Sequence, residues 1–279
     1  MSVHPNACPA FFRDATIDSA GHYSPCTALG GGAWHWPDQP IHQTWQQPEL
    51  QRARHWSREG HQLTLCNRCW SEEYLGHESQ RQHLKHWVDP ELDYTVPEYY
   101  AGGPRCLNIK VSNVCNLRCR TCNGRDSVLY HKEGEHYERE LGLVNTAYTM
   151  DPYRKRFTDA QLEELWAWSS NLESIELYGG EPMLDTQIPR FLLRLLDAGR
   201  GSNIRFKVST NGTRLLTPAW QRIVTGFESA TVMVSVDALD QQFYYMRHPA
   251  TWARVERTID QVLELEHSNP GLRLQPVMT

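Results

Sequence analysis

From Arg105 to its last residue, the sequence alternates short apolar segments with amphipathic segments of helical period, and this alternation constrains the fold most. The segment "SIELYGG" at 174–180 predicts a strand that ends in glycines. Apolar residues between 188 and 196 recur at the i, i+3, i+4 spacing of a helix that packs along one stripe. Strands and helices that alternate in this way form parallel sheets with right-handed crossovers. We therefore expect an α/β fold with a parallel sheet that is either covered by helices on both faces or curled into a (β/α) barrel.

The strands predicted in this region are short and largely apolar, at 106–112, 174–180, 204–212, 230–238 and 272–279. The helices predicted between them cover about 158–168, 188–196, 218–227 and 252–262. In parallel α/β folds, ligands bind at the carboxyl ends of the strands. Four motifs lie at those ends: "CNLRCRTC" at 115–122, "GGEP" at 179–182, "STNG" at 209–212 and "SVDA" at 235–238. We expect the functional site at this edge of the sheet.

Residues 1–104 differ in character from the rest of the chain. They hold most of the tryptophans and histidines, and their periodicity is weak apart from two predicted helices, at about 49–59 and 69–88. The segment "PEYYAGGP" at 97–104 is typical of a linker. We predict two domains, a small N-terminal module at 1–104 and a larger domain at 105–279.

The eight cysteines fall into two groups, and their number suggests metal or redox chemistry. No apolar run is long enough to span a membrane and no signal peptide is visible, so we expect a cytoplasmic protein, in which structural disulfides are rare. The net charge of −5 makes nucleic acid a poor candidate partner. The first group is Cys8, Cys26, Cys66 and Cys69, and the second is Cys106, Cys115, Cys119 and Cys122.

Three cysteines of the second group, Cys115, Cys119 and Cys122, lie on one short loop. Four ligands complete a zinc site or a cubane iron–sulfur cluster, so three cysteines leave one metal position open for a substrate. Asn123 and Gly124 allow the tight turn that such a loop needs. The alternative is a structural zinc knuckle that Cys106 or His131 completes.

The three-cysteine loop resembles the CxxxCxxC signature of the radical S-adenosylmethionine (SAM) superfamily. "YGGEP" at 178–182 is similar to the GGE motif of that family, and "STNG" and "SVDA" resemble the ends of its third and fourth strands. The resemblance covers about 105–279 and rests on the order and spacing of all four motifs. One departure is Thr121, where many members carry an aromatic residue or methionine, so we expect the packing against adenine to differ.

The resemblance implies a radical SAM enzyme. The cysteines of the loop would hold a [4Fe–4S] cluster, and SAM would bind its open iron through its amino and carboxylate groups. One electron from the cluster would cleave SAM to a 5′-deoxyadenosyl radical, which abstracts hydrogen from the substrate. The SAM-binding residues implied at the strand ends are Gly179, Gly180, Glu181, Pro182, Ser209, Asn211, Ser235 and Asp237, with Arg247 beyond them.

These residues would bind different parts of SAM. Gly179 and Gly180 would let the backbone approach SAM closely, and Glu181 would accept a hydrogen bond from its amino group. The polar side chains of "STNG" and "SVDA" would bind the ribose or the carboxylate. Arg247 would pair with the carboxylate; its alternative is a solvated charge on a helix.

The four cysteines of the N-terminal module equal a complete ligand set. "CNRC" at 66–69 has the spacing with which two thiolates reach one metal, and the sequence after it resembles the twitch/SPASM subgroup of the family. That resemblance implies an auxiliary [4Fe–4S] cluster, held by Cys8, Cys26, Cys66 and Cys69. The alternatives are structural zinc and unpaired buried thiols.

We expect the barrel to be incomplete, because barrels of this family usually have six strands and Thr279 falls within the fifth. Either the chain is a fragment of a longer enzyme, which we favour, or a short natural form closes by dimerisation. The resemblance implies a reductant protein such as a flavodoxin or ferredoxin. It also favours a peptide substrate, with a small metabolite or carbohydrate as the alternative. The rival functions are a non-catalytic zinc-binding interaction module and an inactive fragment of a radical SAM enzyme.

Overall fold

The structure, a computed structural model, describes residues 3–29, 34–35, 40–124, 126–142 and 156–278. The chain divides into two compact units. The first comprises Met1–Asn108 and Glu163–Glu173, and the second comprises Ile109–Leu162 and Ser174–Thr279. The first unit thus includes a segment, 163–173, that the sequence pattern assigned to the larger domain.

The described part of residues 1–104 contains three short strands and six α-helices. The strands are β1 (Asp14–Asp18), β2 (His22–Ser24) and β3 (Trp34–His35). The helices are α1 (Ala10–Arg13), α2 (Ile41–Thr44), α3 (Pro48–Arg58), α4 (Asn67–Tyr74), α5 (Gln80–Lys85) and α6 (Pro97–Tyr100). β2 is antiparallel to both β1 and β3.

Three of these helices bear on the predictions for the N-terminal region. α3 confirms the helix predicted at 49–59. The helix predicted at 69–88 is instead two helices, α4 and α5, because the chain turns at Gly76 with a φ of 78°. That conformation suits glycine. α5 then begins with a capping box, in which the side chains of Ser79 and Gln82 each accept from the other's backbone N–H.

The remaining elements begin with β4, whose first residues belong to the first unit. The strands are β4 (Cys106–Lys110), β5 (Arg118–Cys119), β6 (Ser174–Tyr178), β7 (Arg205–Thr210), β8 (Ser229–Ser235), β9 (Arg247–His248) and β10 (Leu272–Val277). The helices are α7 (Leu129–Leu141), α8 (Asp159–Trp166), α9 (Ile188–Asp197), α10 (Pro218–Gly226), α11 (Asp240–Met246) and α12 (Trp252–Ser268). Among the described residues, no helix has both the length and the apolar character to cross a bilayer.

Of the seven strands β4 to β10, the five that are longer than two residues lie in the order β10-β8-β7-β6-β4. β7 is parallel to both β6 and β8, and β10 is parallel to β8. These are the five strands that the sequence predicts, and the α/β fold with a parallel sheet is confirmed. In the described part of the chain β10 pairs only with β8, so the sheet is open rather than a closed barrel.

The two faces of this sheet differ in exposure. Along β7, Phe206 and Val208 are buried, whereas Lys207 and Ser209 between and after them are only half-buried, and β8 alternates in the same way. α10 packs against β8 and α12 against β10. The half-buried face is the polar one: Lys207 pairs across the strands with Glu176, with 3.6 Å between Nζ and Oε1.

A buried arginine, Arg54 of α3, ties several segments of the first unit together. Its side chain is almost fully buried. Nε donates to the carbonyl of Phe11 at 2.8 Å, and Nη1 donates to the carbonyl of Trp45 at 3.0 Å. The guanidinium also lies over the rings of Trp45 and Tyr100, 4.3 and 4.4 Å from their centroids. Burial lowers the pKa of Arg54 to about 10, so it remains charged at neutral pH.

We predict that Arg54→Met destabilises the first unit by roughly 3 kcal/mol, because two hydrogen bonds from a charged donor are lost and two buried carbonyls remain. Amide hydrogen exchange at 10–18 and 41–58 measures the loss. Arg52→Met is the matched control, since Arg52 lies on the same helix but is 58% exposed and pairs with Glu49 at the surface. Equal exchange in the two variants would contradict the role of Arg54.

Candidate functional site

The segment 111–122, which contains the three-cysteine loop, follows the carboxyl end of β4. Backbone contacts hold it on two sides. Val111 N donates to Tyr178 O at 2.8 Å, and Glu181 N donates to Val114 O at 2.8 Å. On the other side Cys119 lies in β5, which is antiparallel to β9 and places Cys119 opposite Arg247. The loop is therefore held by the end of β6 and by a segment that follows α11.

Side chains and turns set the inner shape of the same loop. Cys122 N donates to Cys119 O at 3.0 Å. The hydroxyl of Ser127 donates to Leu117 O at 2.7 Å, and the hydroxyl of Tyr130 donates to Cys119 O. Protein groups thus fold the loop around its cysteines.

The three thiols of the loop lie close enough to affect each other's ionisation. The pKa of Cys115 is raised to about 12, first by burial and then by Glu181 and the other two cysteines. The pKa of Cys122 rises to about 11, mainly through burial, with Asp126 and Cys119 adding to it. Neighbouring thiolates are costly unless a metal centre shares their charge. The arrangement therefore suits three ligands of one metal centre.

Gly179 and Gly180 are required by the packing of the protein itself. Both have a positive φ, 81° and 56°. A Cβ on Gly179 would lie 2.5 Å from Cγ of Lys110, and one on Gly180 would lie 2.6 Å from Val114 O and 2.8 Å from Ser112 O. Their first role is therefore to let the cysteine loop pack against the end of β6. The expectation that they also approach SAM stays a prediction.

The carboxylate of Glu181 is fully buried and already accepts three hydrogen bonds. Oε1 accepts from Met183 N at 2.9 Å and from Thr210 Oγ1 at 2.8 Å, and Oε2 accepts from Asn211 N at 2.6 Å. Burial raises the pKa of Glu181, while these donors oppose the rise. Glu181 thus joins the end of β6 to the end of β7. Its predicted contact with the amino group of SAM is not tested by this geometry.

Asn211 connects the "STNG" turn to the cysteine loop. Its Nδ2 donates to Asn116 Oδ1 at 2.9 Å and lies 3.7 Å from Sγ of Cys115. Its Oδ1 accepts from the backbone N and hydroxyl of Thr213 at 2.9 and 2.7 Å. The amide is nearly buried, so its clearest role is to orient Cys115. A contact with the ribose or carboxylate of SAM stays a prediction.

Arg247 and Asp237 form a buried ion pair beside Cys119. Nη2 of Arg247 is 2.9 Å from Oδ2 of Asp237, and the two side chains are 5% and 4% exposed. Nη1 of Arg247 lies 3.7 Å from Sγ of Cys119. The alternative that Arg247 is a solvated charge is therefore wrong. Its predicted contact with the carboxylate of SAM stays open.

Pro182, Ser209 and Ser235 occupy the remaining predicted positions. Pro182 is buried and begins a short 3₁₀ turn that ends at Leu184. The hydroxyl of Ser209 lies 3.8 Å from Sδ of Met233 on the half-buried face of the sheet. Ser235 ends β8 and is half-buried as well. Ser209 and Ser235 are therefore the predicted SAM-binding residues whose side chains lie on the half-buried face of the sheet, at the strand ends.

Sequence reasoning missed Thr210, Asn116 and Thr213, which complete the hydrogen-bond network behind the loop. Asn116 Nδ2 donates to Thr213 Oγ1 at 2.8 Å, and Thr210 donates to Glu181. The strand period gives a signal for Thr210, because this residue falls on the buried face of β7, where a hydroxyl needs a hydrogen-bond partner.

The four N-terminal cysteines, which span 62 positions of sequence numbering, line one pocket of the first unit. Its lining includes Cys8, Cys26, Cys66 and Cys69, together with Phe11, Leu65 and Arg81. Burial raises the pKa of Cys8, and Cys26 and Cys66 raise it further. The pKa of Cys66 rises to about 12 through burial and the charges of Cys69 and Cys26. The four thiols that the sequence grouped by number are thus brought together.

The donor sets at the two sites contain only thiols, three at one and four at the other. Among the described residues, no three His, Cys, Asp or Glu side chains are grouped closely enough to share a single metal ion. A zinc ion draws its thiolates to about 2.3 Å from one centre. In a cubane each cysteine binds a separate iron. Four cysteines are the usual ligand set of a [4Fe–4S] cluster, and three would leave one iron open.

The chain is similar to several known proteins over part of its length. The family model of the radical SAM superfamily matches residues 109–269. A GTP 3′,8-cyclase of Acidothermus cellulolyticus is 27% identical over 164 residues, 57% of this chain and 38% of that protein. A probable GTP 3′,8-cyclase of Methanococcus aeolicus is 24% identical over 162 residues, 57% of this chain and 46% of that protein. The match therefore spans less than half the length of these relatives.

Two similar solved structures are also partial matches. Native anSMEcpe with bound AdoMet has a TM-score of 0.43 and 19% identity, and the match covers 62% of this chain and 43% of that chain. Streptococcus suis SuiB bound to precursor peptide SuiA has a TM-score of 0.41 and 15% identity, and the match covers 75% of this chain and 45% of that chain.

We predict that Gly180→Ala destabilises the second unit by roughly 3 kcal/mol, because the new methyl group both strains the backbone and overlaps two carbonyls of the cysteine loop. It should also reduce the iron that the protein holds after anaerobic reconstitution. Thermal unfolding and iron content measure the two effects.

Gly199→Ala is the control for backbone strain alone. Gly199 has a φ of 70° and no neighbouring atom within 4 Å of an added Cβ. It should cost about 1 kcal/mol and leave the iron content unchanged. If Gly180→Ala behaves like this control, the end of β6 does not support the loop.

Proposed function

The chain belongs to the radical SAM superfamily, and on that premise we propose that it is a radical SAM enzyme whose loop at 115–122 holds a [4Fe–4S] cluster. The observation that carries the proposal is the packing of the cysteine loop against the ends of β6 and β7, where Glu181 N donates to Val114 O and Asn211 Nδ2 lies 3.7 Å from Sγ of Cys115. When bound, the cluster supplies the electron that cleaves SAM to a 5′-deoxyadenosyl radical, which abstracts hydrogen from the substrate.

The residues of the site divide into ligands and the groups that hold them. Cys115, Cys119 and Cys122 bind iron. Asn211 orients Cys115, and β9 holds Cys119 in register. The buried carboxylate of Glu181 connects the end of β6 to the end of β7. The half-buried hydroxyls of "STNG" and "SVDA", with the backbone at 179–180, are the groups proposed to bind SAM.

The N-terminal module is proposed to hold an auxiliary [4Fe–4S] cluster, as in the twitch/SPASM subgroup. The shared pocket of its four cysteines supports this ligand set. Full cysteine ligation leaves no open iron, so the cluster has a structural or electron-relay role. A flavodoxin or ferredoxin is the proposed electron donor. Structural zinc is the competing occupant.

A peptide is the proposed substrate. The subgroup resemblance of the N-terminal module favours it, whereas the curated relatives are named GTP cyclases. Two lysines near the site are already neutralised: Lys207 pairs with Glu176 at 3.6 Å, and Lys110 pairs with Asp126 at 2.6 Å. Paired cations are poorly suited to a triphosphate. GTP-stimulated formation of 5′-deoxyadenosine would contradict the peptide proposal.

We predict that Cys119→Ala abolishes reductive cleavage of SAM, because a ligand of the catalytic cluster is lost. The measurement is 5′-deoxyadenosine formed by the reconstituted protein with SAM and dithionite. Cys106→Ala is the matched control, since Cys106 lies in β4 and outside both ligand sets, and it should retain activity. Undiminished product from Cys119→Ala would refute the assignment. Zinc in the wild type without visible absorbance would support the zinc-binding rival.

We predict that the double variant Cys66→Ala, Cys69→Ala loses about four irons per chain and that its first unit becomes sensitive to proteolysis. A module with few regular elements depends on its metal centre for stability. The cluster at 115–122 should still assemble. Iron and zinc contents, measured beside limited proteolysis, decide the outcome: loss of zinc with constant iron makes the module a zinc site.

A further inference from the structure

We propose that Arg247 raises the reduction potential of the cluster at 115–122 by donating a hydrogen bond to the sulfur of Cys119. The inference rests on the proposed function, because it requires that this loop hold a cluster. The proposed role of Arg247 is to position Cys119 and to stabilise negative charge on its sulfur. The proposed role of Asp237 is to set the strength of that stabilisation.

The geometry places a buried cation directly on one ligand. Nη1 of Arg247 is 3.7 Å from Sγ of Cys119, within hydrogen-bonding range for sulfur. The two residues face each other across the β5–β9 pair, so the backbone fixes their register. The guanidinium thus stabilises negative charge on this sulfur.

Asp237 makes the interaction rigid and reduces its strength. Its carboxylate lies 2.9 Å from Nη2 of Arg247, which leaves Nη1 directed at the sulfur. Both side chains are about 95% buried, so solvent screens neither charge strongly. The planar fork of arginine can serve the carboxylate and the sulfur at once, which a lysine cannot do with the same geometry.

Hydrogen bonds to the sulfurs, net charge and solvent exposure set the reduction potentials of iron–sulfur clusters. A donor that stabilises negative charge on Cys119 favours the reduced state over the oxidised state. The step that Arg247 favours is the uptake of one electron from a low-potential donor, with no bond formed or broken at Cys119. Asp237 opposes it, since its negative charge is nearby.

The experiment is a redox titration of the reconstituted full-length protein with dithionite, followed by electron paramagnetic resonance. The signal of this loop is the one whose shape changes when SAM is added, which separates it from any cluster of the N-terminal module. Comparisons are made in an Asp237→Asn background, because removing Arg247 alone would take the ion-pair partner from a buried carboxylate and destabilise the fold.

Asp237→Asn alone should raise the midpoint potential. Adding Arg247→Met to it should lower the potential again, by about tenfold in the equilibrium constant for reduction, which is about 59 mV for one electron. Arg247→Lys should fall between the two. Arg118→Gln is the matched control, since Arg118 precedes Cys119 but pairs with Glu133 at 3.4 Å, and it should not shift the potential.

Each other outcome has a distinct meaning. An unchanged potential in Arg247→Met with full iron content overturns the inference, and reduced SAM affinity in the same variant would instead assign Arg247 to the carboxylate of SAM. An equal shift in Arg118→Gln also overturns it, because the effect would then be general charge. If Arg247→Met fails to bind iron, Arg247→Lys decides. A wild type without any SAM-responsive signal refutes the proposed function itself.

Discussion

The buried carboxylate of Glu181 is the interaction on which the candidate site depends. It stands where two parallel strands end, and it accepts hydrogen bonds from the hydroxyl of Thr210 and from the backbone N–H of Asn211. The backbone N–H of the same residue supports the cysteine loop at Val114. A buried charge is costly unless it is satisfied, and here three donors satisfy it. One residue therefore sets the spacing between β6, β7 and the loop.

Much of the fold follows from the sequence because its signals are local. The five predicted strands have apolar periods, and the three loop cysteines lie within eight residues of each other in the sequence. The roles of individual side chains were harder to predict. Asn211 and Glu181 look like ligand-binding groups in a motif, yet both point to protein partners that lie about 30 and 95 residues away. β5 and β9 have two residues each and carry no period at all.

The two cysteine sets differ in whether neighbouring or distant parts of the sequence bring their sulfurs together. The loop at 115–122 brings its sulfurs together by its own turns, with help from Ser127 and Tyr130. The set in the N-terminal module is assembled by tertiary packing, in which Cys8 and Cys66 come from opposite ends of the region. In the sequence, spacing pairs Cys66 with Cys69, whereas Cys8 and Cys26 are added largely by counting, and the pocket gives that grouping a physical basis.

The short β5–β9 ladder has a consequence for how the chain matures. It joins Cys119 to Arg247, 128 positions later in the chain, so closing it carries the entropy of a long loop. During synthesis, Cys115, Cys119 and Cys122 leave the ribosome well before the segment that contains Arg247 has been made. Thiols in that interval are exposed to oxidation and to adventitious metals. We expect delivery of iron and sulfide to be productive only after the segment at 247 has been made, so the timing of metal delivery governs the yield of intact protein.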